Sequence, residues 1–207
     1  AIADSLQQGA GAGIAGGELQ TLRRQVEVFG LHVAAVDLRQ HSAWHQKAVA
    51  EIFARLHGGP EYAALDEGAK VAVLADSLSR SASGLPVRMA DWSEDTRRVL
   101  EPLCLAGEMI QRVGREALGV YIISMTDALS DVLEVLLLMR WCGADLPIVP
   151  LFETLRDLEQ APDILRAMFG HPTYRAHLRS QGDHQTIMLG YSDSNKDCGY
   201  IAANWAL

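Results

Sequence analysis

Four residues in the chain have the side chains for phosphate and metal chemistry, and each sits where an apolar run gives way to polar residues. Arg39 closes one such run, Glu153 follows Ile148 to Phe152, and Asp193 and Lys196 lie in the polar stretch after Thr186 to Gly190. Two carboxylates delivered from adjacent strand ends can share one Mg²⁺-sized cation, which keeps several waters and seldom takes an all-protein cage. An arginine beside them can fork two hydrogen bonds onto a phosphate or carboxylate. A lysine three residues past Asp193 adds a point charge next to a developing anion. The competing reading is plain: strands end in polar residues because loops meet water, and Ser192-Asp-Ser-Asn-Lys-Asp197 is ordinary turn composition. Gly190 also has two readings, a close approach by another group or a simple bend in the strand.

Other patterns lead away from chemistry. Gly11-x-Gly13-x-x-Gly16 matches a dinucleotide fingerprint, but such a loop works only directly after a strand, and Ala1 to Gln8 do not read as one. His41 and His45 are four apart, yet no Glu completes a His-Glu-x-x-His motif, so they read as a helix-surface pair. Neither a Gly-x-Ser-x-Gly elbow nor a Gly-Lys-Ser/Thr phosphate loop occurs.

The elements that must position these groups follow from periodicity. Residues 1–17 are a flexible lead-in, Gly-rich over 9–17, and Leu19, Leu22, Val26 and Phe29 recur at helical spacing up to Gly30, the expected C-terminal glycine. The first buried strand is predicted over His32 to Leu38. A helix marked by Trp44, Ala48, Val49, Ile52, Phe53 and Leu56 then runs to Gly58-Gly59-Pro60. Helices are predicted over 66–80 and 94–113, the second capped by Ser93, with a polar connection from Ser81 to Asp91 between them.

A second strand is expected over Val120 to Met125, followed by a helix over Ser130 to Trp141 that is apolar nearly all round and therefore buried on several sides. The third strand is Ile148 to Phe152. After it come a helical pair interrupted at Pro162 and a helix from near Pro172. The fourth strand, Thr186 to Gly190, leads through a polar turn, Ser192 to Asp197, into a last helical stretch. Continuous apolar strands alternating with helices predict an α/β chain with a parallel sheet, either open or part of a barrel. Four strands are too few to close an eight-stranded barrel, which takes ~250 residues.

The same residues resemble a known family. Ile187-Met-Leu-Gly-Tyr-Ser-Asp-Ser-Asn-Lys-Asp-Cys-Gly199 is similar, position by position, to the second signature of phosphoenolpyruvate carboxylase. Val149-Pro-Leu-Phe-Glu-Thr154 resembles that family's metal-ligand strand. Tyr121-Ile-Ile-Ser-Met125 with Ser130-Asp-Val-Leu133 resembles the strand and helix before it. Phe29-Gly30, Val36-Asp-Leu-Arg-Gln40 and His45 resemble its arginine-bearing strand, while His41 and Asp127 depart from the pattern. The segments fall in family order over residues 19–207.

The resemblance implies about four strands of a TIM-type (β/α) barrel, with a helical insertion over about 42–118 and residues 18–207 as one domain. It implies that Glu153 and Asp193 bind Mg²⁺ or Mn²⁺, that Arg39 binds the substrate phosphate, and that Arg39 and Lys196 assist catalysis. It also implies the reaction. Bicarbonate attacks the phosphate of phosphoenolpyruvate, giving carboxyphosphate and an enolate, and carbon dioxide released from the former carboxylates the enolate to oxaloacetate. The family's Thr-Ala-His-Pro-Thr histidine and its Gly-Arg-Gly-Gly loop do not occur in these 207 residues. The expectation is therefore an incomplete active site within a homotetrameric, cytoplasmic enzyme. The alternative is a shortened, non-catalytic relative serving as an oligomerisation or regulatory module.

Composition bounds the partners. Lys and Arg number 18 against 26 Asp and Glu, a formal charge of −8 with the two signs intermixed, so no basic stripe for nucleic acid is expected. The densest apolar run, Val132 to Met139, contains Glu134 and is far short of the ~20 residues of a membrane span. A basic and then apolar secretory leader is absent from the first residues. Cys104, Cys142 and Cys198 are widely spaced and expected as free thiols.

Overall fold

A computed structural model of the chain describes residues 2–9, 11–30, 32–57, 61–80 and 88–207. The two expected breakers, Gly58-Gly59-Pro60 and most of the Ser81–Asp91 connection, lie outside those residues. Two short helices, α1 (Ile2–Gln7) and α2 (Ala12–Ala15), occupy the Gly-rich lead-in. A helix rather than a strand thus precedes the Gly11-x-Gly13-x-x-Gly16 pattern. Helix α3 (Glu18–Phe29) ends at Gly30, whose φ of 56° is a left-handed conformation that suits glycine.

Strand β1 (Val36–His41) begins four residues later than predicted. It is the edge of the sheet, and Val36, Asp37 and Arg39 are exposed, which corrects the expectation of a buried strand over His32 to Leu38. The polar residues belong to the strand itself because only its inner neighbours, Leu38 and Gln40, turn toward the packed helices. Helices α4 (Ser42–His57), α5 (Glu67–Arg80) and α6 (Glu94–Arg112) fill the interval before β2 (Leu118–Ser124). Ser93 caps α6 by accepting a hydrogen bond from the Thr96 amide at 3.2 Å, as its position before Glu94 and Asp95 predicts.

Helix α7 (Leu129–Cys142) is buried on almost every side and stops at Gly143, φ 70°. Strand β3 (Ile148–Phe152) coincides with its predicted span. Helix α8 (Leu155–Gly170) is continuous, not broken at Pro162. That proline lies on the exposed side of the helix, where carbonyls can tilt toward water. Helix α9 (Pro172–Ser180) and the two-residue strand β4 (Met188–Leu189) follow. The expected polar turn at Ser192 to Asp197 is instead helix α10 (Tyr191–Cys198), succeeded by α11 (Tyr200–Ala206).

All strand pairs are parallel and the order is β1-β2-β3-β4, an open sheet in which sequence neighbours are spatial neighbours. Alternation sorts the two faces. Leu38, Tyr121, Ile123, Ile148 and Phe152 face the main core built with α4 to α9. Ile122, Val149 and Leu151, with Val120 and Met188, form a separate small cluster to which no helix contributes. The hydrophobic side chains of α4 to α9 thus pack on one face, and the opposite face carries Arg39 and Glu153 by the same alternation. No described helix is long and apolar enough to cross a membrane.

Cys104 and Cys142 are paired across α6 and α7, which corrects the expectation of free thiols for these two; Cys198 is free.

Candidate active site

Glu153 is the residue immediately after β3, and its backbone is held from both sides. Thr154 caps α8 by accepting from the Asp157 amide at 3.1 Å. The buried Asp157 carboxylate accepts in return from the amides of Thr154 (2.9 Å) and Glu153 (3.0 Å). This is a capping box with Asp at the third position, and it fixes the angle at which Glu153 leaves the strand. On the other side the Ser194 hydroxyl donates to the Glu153 carbonyl at 3.0 Å. Gly190 lies against the same residue: a Cβ there would sit 2.9 Å from Glu153 Cγ and 3.2 Å from its Cα. Of the two readings of Gly190, close approach is the one the structure bears out.

Arg39 comes from β1, two strands away. Its register partner is Ile122, which in turn pairs with Val149, and from there its side chain crosses β2 to donate from Nη2 to Glu153 Oε1 at 2.7 Å. The ion pair is half exposed on the arginine side, while the Glu153 side chain is mostly buried.

Asp193 sits in the first turn of α10, where a carboxylate suits the helix dipole, and Lys196 in its last turn. Their charges approach to 3.6 Å, with the two side chains 52% and 78% exposed. Such a solvated i,i+3 pair is worth little in stability and leaves both groups free to turn to a ligand. Arg39 with Glu153, and Asp193 with Lys196, are thus two ion pairs, and no salt bridge joins one to the other among the described residues. They are tied through the backbone, because Ser194 and Gly190 bracket Asp193 and both lean on Glu153. Asp197 adds a further tie by accepting from the Leu155 amide at 2.9 Å.

A buried polar chain stands behind β1. Proline at position 102 has no N–H, so the Arg98 carbonyl one turn earlier in α6 loses its helical donor. The Gln40 side chain fills the vacancy, donating from Nε2 to that carbonyl at 3.1 Å. Gln40 Oε1 accepts from the Tyr121 hydroxyl at 2.6 Å. Tyr121 has one proton and has given it away, so the 2.8 Å contact with His45 Nε2 is donated by the imidazole. His45 is accordingly neutral with its proton on Nε2, and burial, aided by His41, pushes its pKa down to about 3. This corrects the reading of His41 and His45 as a surface pair. His45 is fully buried, whereas His41 accepts from the Ala43 amide at the start of α4.

Asp157 has no place in the sequence reading, and Ser194, Gln40 and Tyr121 enter it only as members of longer segments, with no role assigned. Thr154-x-x-Asp157 carries a visible capping spacing directly after Glu153. The Gln40 contact has no such signal, since it depends on a proline 62 positions away meeting a strand from the other end of the helical insertion.

Among the described residues no group of three or more His, Cys, Asp or Glu is arranged to hold a metal. The donor set formed by Glu153 and Asp193 is two carboxylates, hard oxygen ligands of the kind Mg²⁺ and Mn²⁺ take with water completing the shell. One oxygen of Glu153 is engaged by Arg39 and, among the described residues, the other receives no hydrogen bond, so the chemistry of the two carboxylates suits such an ion.

The sequence profile of the family phosphoenolpyruvate carboxylase matches residues 1–207. The chain is 41% identical to a phosphoenolpyruvate carboxylase of Roseiflexus castenholzii over 201 aligned positions, covering 94% of this chain and 21% of that protein. It is 41% identical to one of Corynebacterium diphtheriae, covering 94% of this chain and 22% of that protein. A third, from Aromatoleum aromaticum, is 41% identical with coverage of 98% and 23%. The chain spans roughly a fifth of the length of these curated relatives.

Proposed function

The chain belongs to the phosphoenolpyruvate carboxylase family, and on that premise we propose that it carries the metal and phosphate half of a site that converts phosphoenolpyruvate and bicarbonate to oxaloacetate and phosphate. The observation that carries the reading is the 2.7 Å contact between Arg39 and Glu153, which sets a guanidinium beside a carboxylate on the sheet face opposite the main core.

In this reading Arg39 binds and orients the substrate phosphate, using the donors not spent on Glu153. Glu153 and Asp193 hold Mg²⁺ or Mn²⁺, and the bound ion supplies Lewis-acid stabilisation of enolate and phosphate charge. Lys196 releases Asp193 to the ion and offers its ammonium to the developing anion. Asp157 and Ser194 keep Glu153 in place, and Gly190 leaves room for it. The sequential strand order and one-sided packing of α4 to α9 support placing the sheet within a TIM-type barrel, completed by polypeptide other than these residues. We place the enzyme in the cytoplasm as a homo-oligomer.

Isothermal titration with Mn²⁺ tests the assignment. The native chain is expected to bind weakly and to show negligible carboxylation by itself, and a Glu153→Ala, Asp193→Ala double variant to give no binding heat. Equal heats from the two proteins reject the metal pair.

A second reading, a non-catalytic association module, is favoured by the exposed Tyr200, Ile201 and Trp205 on α11 and, separately, by β4 ending the sheet without a further strand among the described residues. A monodisperse monomer in sedimentation velocity removes it.

A further inference from the structure

Helices α6 and α7 cross at unusually short range because of one residue. A Cβ on Gly107 would collide with the Cys142 carbonyl and lie 3.0 Å from the Gly143 carbonyl carbon, so only glycine lets the backbones touch there. Cys104 is one turn before Gly107 on the same face of α6, and the crossing brings its Cα to 4.4 Å from that of Cys142. That separation is within the range a disulfide spans. Both cysteines are partly exposed, and the structure pairs them. Neither contributes to the Arg39, Glu153, Asp193 and Lys196 constellation.

We propose that Cys104 and Cys142 are a reversible dithiol–disulfide site, exchanging with small-molecule thiols and disulfides and stapling α6 to α7 when oxidised. The thiolate of one cysteine attacks a small-molecule disulfide, breaking its S–S bond and releasing one thiol. The thiolate of the other then attacks the mixed disulfide, forming the protein S–S bond and releasing the second thiol. The protein loses two electrons and two protons, and the small disulfide gains both as two thiols. The staple closes a loop across 38 positions of sequence and so restrains the unfolded chain. It also fixes α6, whose Arg98 carbonyl anchors Gln40 next to Arg39. Cys198, the free cysteine on α10, serves as the internal reference.

The native chain, first reduced, is incubated without denaturant in glutathione disulfide, blocked with N-ethylmaleimide and mapped by peptide mass. The expected result is a cross-linked pair of peptides holding Cys104 and Cys142, maleimide on Cys198 alone, and full reversal by dithiothreitol. Oxidation is expected to raise Tm by about 5–10 °C. That rise is expected to persist in Cys198→Ser and vanish in Cys104→Ser. Glutathione adducts on Cys104 or Cys142 without a cross-link, or a cross-link that uses Cys198, overturn the proposal. Because the peptide map is read on the unaltered chain, it decides the matter even where a cysteine variant fails to fold.

Discussion

Arg39 Nη2 donates to Glu153 Oε1 at 2.7 Å, joining the arginine of the first strand to the end of the third across the one between them. A cation at that distance from a ligand oxygen competes with any other cation for it. Arg39→Gln is therefore expected to tighten Mn²⁺ binding roughly 3–10-fold, a modest gain because the arginine is half exposed. The same variant should weaken binding of inorganic phosphate. Titration calorimetry with each ligand reads both effects, and a loss of Mn²⁺ affinity in Arg39→Gln would show that the arginine supports the ion rather than opposes it.

Gly190 is expected to tolerate no side chain, for a reason that is not backbone conformation, since its φ is −83°. An added methyl would stand 2.9 Å from Glu153 Cγ and 3.2 Å from Glu153 Cα, and the second of these is a main-chain atom that cannot swing away. Gly190→Ala should cost about 1–3 kcal/mol through overpacking and displace Glu153, lowering Mn²⁺ affinity as well. If the alanine variant binds Mn²⁺ like the parent, the contact does not govern the carboxylate.

Pro102 and Gln40 form a matched pair: one removes a donor from the Arg98 carbonyl and the other restores it. Gln40→Ala should cost about 2–3 kcal/mol, leaving that carbonyl and the Tyr121 hydroxyl without their partner. In a Pro102→Ala background the helix supplies its own N–H, so the penalty should shrink by about 1 kcal/mol. Urea melts of the four proteins of this cycle give the coupling energy directly, and simple additivity would refute the account.

How much of this was legible beforehand depends on the range of the interaction. Strand β3 lies on its predicted residues because Pro147 and a five-residue apolar run mark it locally. Helix α7 is apolar all round and is buried all round. Strand β1 was placed too early because His32 to Leu38 is the more apolar stretch, whereas an edge strand needs only alternate residues inward. Ser192 to Asp197 has turn composition but folds as α10, since the one proton of the Ser194 hydroxyl is shared between the Gly190 carbonyl one turn back, at 2.8 Å, and the Glu153 carbonyl. The Arg39–Glu153 contact joins residues 114 apart. Strand-end polarity pointed to both residues, but only the order of strands in the sheet could show that they meet.

Glu134 makes the chain's stability depend on pH in a direction opposite to most carboxylates. It is fully buried in α7 and accepts from the Tyr62 hydroxyl at 2.7 Å through Oε1, while Oε2 has no partner among the described residues. Burial raises its pKa to about 8, with Tyr62 and Lys70 opposing and Asp131 and Glu67 adding to the rise. The folded chain therefore keeps a proton that the unfolded chain gives up above the ordinary glutamate value of 4.5, and stability contributed by the neutral acid is lost as pH climbs toward 8. His45 acts in the reverse sense. Its imidazole stays neutral when folded and protonates around 6.5 when unfolded, so its contribution changes mainly below that pH. Asp131, raised by burial to about 6, makes most of its change below 6.5. Between pH 6.5 and 8, then, Glu134 is the raised carboxyl still titrating, and stability should fall by roughly 2 kcal/mol across that interval. Glu134→Gln, which keeps the shape and removes the ionisation, should flatten the slope. Denaturant melts at three pH values across the interval read it, and an equal slope in wild type and variant would mean that Glu134 is not held neutral in the core.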